Sequence, residues 1–265
     1  MLRAGDSGLS VLCVDFSATR ARAQASFADL AGLLPERYAS WCTDEGAWRG
    51  DELPEAPDTE VAGIFGYCAG AALAGVLAGR VARRTGTPPA VVLFDPSEVT
   101  AATLVDQFHS AVDGLAGVAP EPDLRAARAA AEADAAQAAD AAQAADAGDR
   151  TGRPGLTALA STLADRYAAL ARPACAARNV PAAIADQLCA RASGYLRYLV
   201  LSSTAPLGYA GPGLVVLSAD HEPPPVGGAL PRLRLPVARD GLLADPAAAG
   251  AAARVLAGTP LAALP

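Results

Sequence analysis

The run VAGIFGYCAGAALAGVLAGRVARRTG (61–86), followed at once by AVVLFD (90–95), constrains this chain more than anything else in it. The apolar stretch VAGIFGY (61–67) reads as a buried strand. It passes with almost no linker into small residues ending in arginines, which read as a helix over 69–86 with Gly86 as its C-cap. AVVLFD (90–95) is again a strand. Strand, helix and strand in such short order make a βαβ unit, and therefore a parallel sheet. The first junction reads Gly66-Tyr67-Cys68-Ala69-Gly70. The turn is so tight that a Cβ at either flanking glycine would clash. Cys68 then sits at the helix N-terminus, where free N–H groups and the dipole favour an anion. Two readings are open here: a nucleophile at a strand–helix elbow, or a small buried cysteine in a chance turn.

The rest of the chain extends the pattern. LSVLCVDF (9–16) reads as a buried strand, ARAQASFADLAGLL (21–34) as a helix, and RYASWC (37–42) as a weaker strand. Residues 43–60 are acidic and turn-rich. GLVVLSAD (213–220) and PRLRLPV (231–237) supply late strands, and DPAAAGAAARVLAG (245–258) a closing helix with Pro246 in its first turn. Between 90–95 and 213–220 no segment reads as a strand. LTALASTLADRYAALA (156–171) and AAIADQLCARASGYLRYLVL (182–201) are amphipathic helices. The Ala-rich, low-complexity stretch 124–147 has almost no large apolar side chain, so it reads as a solvated helix or a partly disordered loop. The expected fold is α/β: a mostly parallel sheet flanked by helices, with core 1–99 and 207–265 and a helical insertion at 100–206.

Composition closes off several functions. In 265 residues, 52% are hydrophobic and 18% charged, a globular balance. The net charge of −7 argues against a nucleic-acid surface. The chain has no lysine, which excludes Schiff-base and P-loop chemistry. No window is long and apolar enough for a membrane span, and the start does not read as a signal peptide. The cysteines at 13, 42, 68, 175 and 189 lack metal-type spacing, which points to free thiols in a reducing cytoplasm and to no metal or cofactor. Cys13, Cys42, Cys175 and Cys189 read as small buried residues.

GYCAGAALAGVLAGRVARRTG followed by AVVLFDPSE resembles the thioesterase domains and stand-alone thioesterases of polyketide and nonribosomal peptide synthesis. That family has Gly-Tyr-Ser-x-Gly-Gly, a helix with Leu-Ala, a short loop, and a strand ending in Leu-x-Asp. The resemblance implies an α/β-hydrolase fold with a helical lid at 100–206. It implies Cys68 as covalent nucleophile, Asp95 as triad acid, and the Ala69 N–H as one oxyanion donor. A second donor is expected near Phe16 and Ser17. The substrate it implies is an acyl or peptidyl chain on the phosphopantetheine of a carrier protein, or a small acyl thioester. Asp95 has a second reading, as half of an Asp-Pro turn or cap.

The chain departs from the family pattern in three places. Cysteine replaces serine, the stretch between the first helix and the elbow is short, and the place of the family's histidine reads PVARDGLLADP (236–246). Arg239 stands there, either paired with Asp240 at the surface or placing positive charge beside the thiol. The chain has two histidines. His109, in DQFHSAV, reads as a helix-surface or packing residue. His221, at the tip of the 213–220 strand, is either a base reaching Cys68 with Asp95 or Asp220 behind it, or a solvated loop residue. A thiol at a helix N-terminus supplies thiolate without a general base, which a serine hydroxyl does not. The expected activity is therefore acyl transfer or cyclisation rather than hydrolysis. The alternative is a thioesterase-fold protein that has lost its chemistry and binds an acyl chain or a carrier.

Overall fold

In the computed structural model, residues 8–15, 26–42, 60–144, 153–225 and 230–259 are described. Six strands form one sheet: β1 Leu9–Val14, β2 Tyr38–Cys42, β3 Glu60–Tyr67, β4 Ala90–Phe94, β5 Gly213–Leu217 and β6 Arg232–Arg234. Their order is β2-β1-β3-β4-β5-β6, and every pairing is parallel. All five side chains of β4 are buried, as a parallel strand covered on both faces requires.

Alternation along the strands assigns the two faces. Phe65, Val92 and Phe94 share a core with α1 (Phe27–Leu33) and α7 (Pro246–Leu256). The Phe94 ring takes Phe27 and Phe65 edge-on, at 6.0 and 5.8 Å between centroids. Ile64 and Gly66 point the other way, toward α2 (Gly70–Thr85). A Cβ on Gly66 would stand 2.6 Å from the Ala71 Cα and 2.8 Å from the Ala74 Cβ. The glycine is therefore what lets α2 start directly behind β3. Capping fixes the helix starts. Ser26 and Asp29 form a capping box on α1, and the Asp245 carboxylate accepts from the Ala247 and Ala248 N–H groups of α7.

The chain divides into two compact units, Met1–Glu98 with Ala205–Pro265, and Val99–Thr204. The second unit holds α3 (Ala101–Asp113), α4 (Glu121–Ala144), α5 (Arg153–Ala177) and α6 (Ala182–Thr204). Of the two states open to the Ala-rich stretch, the helix is the one found through Ala144. It is anchored by buried Leu124 and Ala131 and by the Asp134 pair with Arg166, whose Nη2 lies 2.9 Å from Oδ1. Leu104, Phe108, Leu159, Leu163, Tyr167 and Leu199 complete that unit's core. No described helix is long and apolar enough to cross a membrane.

Several elements are shorter than the sequence pattern predicts. The first helix runs over 27–33 rather than 21–34, the last strand over 232–234 rather than 231–237, and β5 ends at Leu217. Pro231 and Pro236 bracket β6 and donate nothing to a ladder. Residues 21–25 of the expected helix, and the acidic stretch 43–59, lie outside the described residues.

Candidate active site

The site grows from the ends of β3, β4 and β5. At the end of β3 the backbone turns through Cys68, whose φ is +53°. For a residue with a Cβ this left-handed conformation costs on the order of 1 kcal/mol. Three hydrogen bonds hold it. The Cys68 N–H donates to the Phe94 carbonyl at 3.0 Å, and the Cys68 carbonyl accepts from the Ala71 and Ser97 N–H groups, each at 3.2 Å. The thiol is half-buried. Ala69 is the N-cap of α2, so its N–H belongs to the donors that a helix start leaves over.

Asp95 follows β4 and also takes a positive φ, +41°. Its N–H donates to the Val216 carbonyl at 2.9 Å, and its side chain is fully buried. The carboxylate accepts from the Ser218 N–H at 2.8 Å and from the Ser218 hydroxyl at 2.7 Å. Arg234 fastens this corner by donating to the Ser218 and Ala219 carbonyls, each at 2.9 Å.

An all-parallel sheet in this order, with a strained residue at the turn from its third strand into a helix, decides the architecture. This is an α/β-hydrolase fold. No protein-family profile matches the chain, and no curated protein matches it. Among solved structures it is similar to the Vlm2 thioesterase domain bound with a dodecadepsipeptide, at 13% identity over 97% of this chain and 96% of that one, TM-score 0.44. It is similar to the RedJ thioesterase of prodiginine biosynthesis in Streptomyces coelicolor, at 16% identity over 97% and 92% of the chains, TM-score 0.40. Human thioesterase 2 is similar at 10% identity over 97% and 100%, TM-score 0.42.

Arg239, at the start of a 3-10 helix (Arg239–Ala244), reaches the α/β-hydrolase elbow. Its Nη2 donates to the Cys68 Sγ at 3.0 Å and to the Ser97 hydroxyl at 3.3 Å. Its Nε lies 4.0 Å from the Asp95 Oδ2. The Tyr67 ring lies 5.9 Å from the guanidinium, and the Tyr67 hydroxyl donates to the Arg239 carbonyl at 3.5 Å. Burial works to lower the Arg239 pKa, but Cys68, Tyr67 and Asp95 outweigh it and hold the group above its ordinary value. Of the two arrangements open to Arg239, it takes the one beside the thiol.

His221 engages a different group. Its Nε2 lies 2.9 Å from the Pro96 carbonyl, which only accepts, so that nitrogen carries the proton. Among the described residues no hydrogen bond joins its ring to Cys68 or Asp95. Asp220 lies exposed in the turn after β5. His109 stands on α3 in the helical unit, with Nε2 buried and unpartnered among the described residues. Phe16 and Ser17, where a second oxyanion donor is expected, lie outside the described residues.

The structure thus gathers Cys68, Asp95 and Arg239 and adds Ser97, Ser218 and Tyr67, which the sequence reading did not single out. Ser218 left a usable signal, as the first polar residue after the apolar run of β5. Ser97 left none, because its role arises from the bend that Asp95 imposes.

Proposed function

We propose that this chain is an acyl-transfer enzyme in which Cys68 attacks a thioester and carries the acyl group as a covalent intermediate. The observation that carries this reading is the Arg239 guanidinium, whose Nη2 donates to the Cys68 Sγ at 3.0 Å. That contact sets a permanent positive charge directly against the sulfur that attacks. The elbow supports the same reading, since the strained backbone at Cys68 has no packing purpose a glycine would not serve better. Asp95 holds Ser218 and attracts the Arg239 Nε, so it acts as a positioning residue. The Ala69 N–H is one oxyanion donor, and the loop near Phe16 and Ser17 is expected to give the other.

The thioesterase likeness supports a donor in which the acyl or peptidyl chain hangs on the phosphopantetheine of a carrier protein, or a small thioester that imitates it. On the same reading the helical insertion serves as the lid that the family carries. Attack by Cys68 exchanges one thioester for another, so the intermediate keeps its activation. The group leaves by transfer, cyclisation or hydrolysis.

A second reading is a chemically silent binding protein. It is favoured by one observation, that an arginine stands where the family's base would stand. Intact-mass analysis after mixing with short acyl-pantetheine thioesters separates the two. The expected result is an acyl adduct on the wild type that is absent from Cys68→Ala. No adduct at any chain length would sink the enzymatic reading and leave the binding protein.

A further inference from the structure

Acylation of Cys68 changes what Arg239 faces. The sulfur attacks as its thiolate. Its bond to the acyl carbon forms, the bond from that carbon to the donor sulfur breaks, and the electron pair leaves with the donor sulfur as a thiolate. Before the step a negative charge lies against the Arg239 Nη2, which is 3.0 Å from the Cys68 Sγ. After it, Sγ is a neutral thioester sulfur, a weak acceptor as a thioether is. The guanidinium keeps its charge throughout, because arginine has no deprotonated form in reach. Asp95 stands on its Nε side, with Oδ2 at 4.0 Å and both oxygens held by the Ser218 N–H and hydroxyl. The Ser97 hydroxyl, 3.3 Å from Nη2, brings no charge.

The first carbons of the acyl chain enter this same place. The acyl carbon is bonded to Sγ, and Nη2 is 3.0 Å from that atom. An alkyl chain there lies against a cation and offers its donors nothing. A carboxylate there replaces the charge that acylation removed, and the planar fork of donors suits its two oxygens. The Arg239 side chain is 43% exposed, so the fork is open to a ligand. Ser97 and the Tyr67 ring, 5.9 Å from the guanidinium, hold it in place.

We propose that the acyl group taken by Cys68 carries a carboxylate of its own, one or two carbons beyond the thioester carbonyl, and that Arg239 recognises it. Malonyl and succinyl groups are of this class. By ordinary bond lengths their carboxylate carbon lies about 3–5 Å from the sulfur, within reach of Nη2. The carboxylate takes no part in the bond exchange and leaves with the acyl group unchanged. This rests on the acyl-enzyme reading above and names its substrate class.

Malonyl-N-acetylcysteamine and its methyl ester test it, since they differ by one charge at similar size. Each is mixed with the protein, and intact mass follows the adduct on Cys68. The two thioesters also differ in intrinsic reactivity, so each rate is divided by that with the cysteine of a short unstructured peptide. The corrected rate is expected to favour the malonyl donor by about 10- to 100-fold. Arg239→Gln should bring that ratio close to one. Arg239→Lys, which keeps the charge without the fork, should restore part of it. In the wild type alone, the preference should fall by about 3-fold or more between low salt and about 1 M, as recognition of a charge at a half-exposed site does. If Arg239 served only the sulfur, Arg239→Gln would slow both donors alike and leave the ratio where it was. That result, a wild-type ratio near one, or a preference indifferent to salt overturns the proposal. An adduct from neither donor, nor from butyryl-N-acetylcysteamine, overturns the acyl-enzyme reading itself.

Discussion

Cys68 and Asp95 hold backbone angles that side chains rarely adopt, with φ of +53° and +41°. Aspartate tolerates this region because its short polar side chain bonds locally, whereas cysteine has no such compensation. The elbow strain at Cys68 is therefore the less expected of the two. Asparagine shares aspartate's tolerance, so Asp95→Asn tests the carboxylate without disturbing the backbone. The amide keeps one acceptor and turns a donor toward Ser218, which already donates from both its N–H and its hydroxyl. In so buried a place the mismatch should cost about 1–3 kcal/mol. Asp95→Asn should lower the midpoint of urea unfolding accordingly and slow adduct formation on Cys68, because the Arg239 Nε loses the charge 4.0 Å away. An unchanged midpoint would mean that the carboxylate is not needed to hold Ser218.

Among the elements, the β3–α2 junction places the site. Its helix begins within the van der Waals reach of the strand it follows, and only the missing side chain at Gly66 allows that. Gly66→Val should drive a branched side chain into the Ala71 Cα, 2.6 Å from the position of the new Cβ. Backbone cannot step aside as a flexible side chain would, so the expected loss is about 3 kcal/mol or more. Chemical denaturation measures the loss. Alkylation of Cys68 should also change, since the elbow that presents the thiol must open. A variant as stable as wild type would show that α2 moves away from the sheet at little cost, and that the close approach is not what fixes the turn.

On the scale of the whole molecule, the helical unit carries its own pH dependence. Burial pushes the Tyr167 hydroxyl up to about 12, with Cys189 and Cys175 adding to the effect. The folded value lies above the ordinary value of 10.0, so the folded state favours the neutral phenol. Below the unfolded value both states are protonated and the contribution is intact. As pH rises from 10.0 to about 12 only the unfolded chain ionises, and stability falls by about 2–3 kcal/mol. Most helical residues lie in α3 to α6, so circular dichroism at helix wavelengths reports chiefly on this unit. Tyr167→Phe should flatten the alkaline loss relative to wild type. Parallel curves for the two proteins would show that Tyr167 is not the group responsible.

The sequence by itself determined the parallel βαβ core, because unbroken apolar runs such as AVVLF have no other way to hide both faces. It also determined the elbow. Gly66, Cys68 and Gly70 occupy neighbouring positions, and a local constraint is legible in local spacing. Asp95 was legible for the same reason, as the residue that ends the next strand. Tertiary structure alone decided what surrounds the sulfur. Whether Arg239 pairs with Asp240 beside it or reaches a thiol 171 residues away depends on where β6 and the 3-10 helix bring the chain, and no local pattern encodes that. His221 shows the same limit. It stands at the strand tip the sequence indicated, yet its ring bonds the Pro96 carbonyl, because side-chain direction in a loop is set by its packing rather than by its position in the sequence.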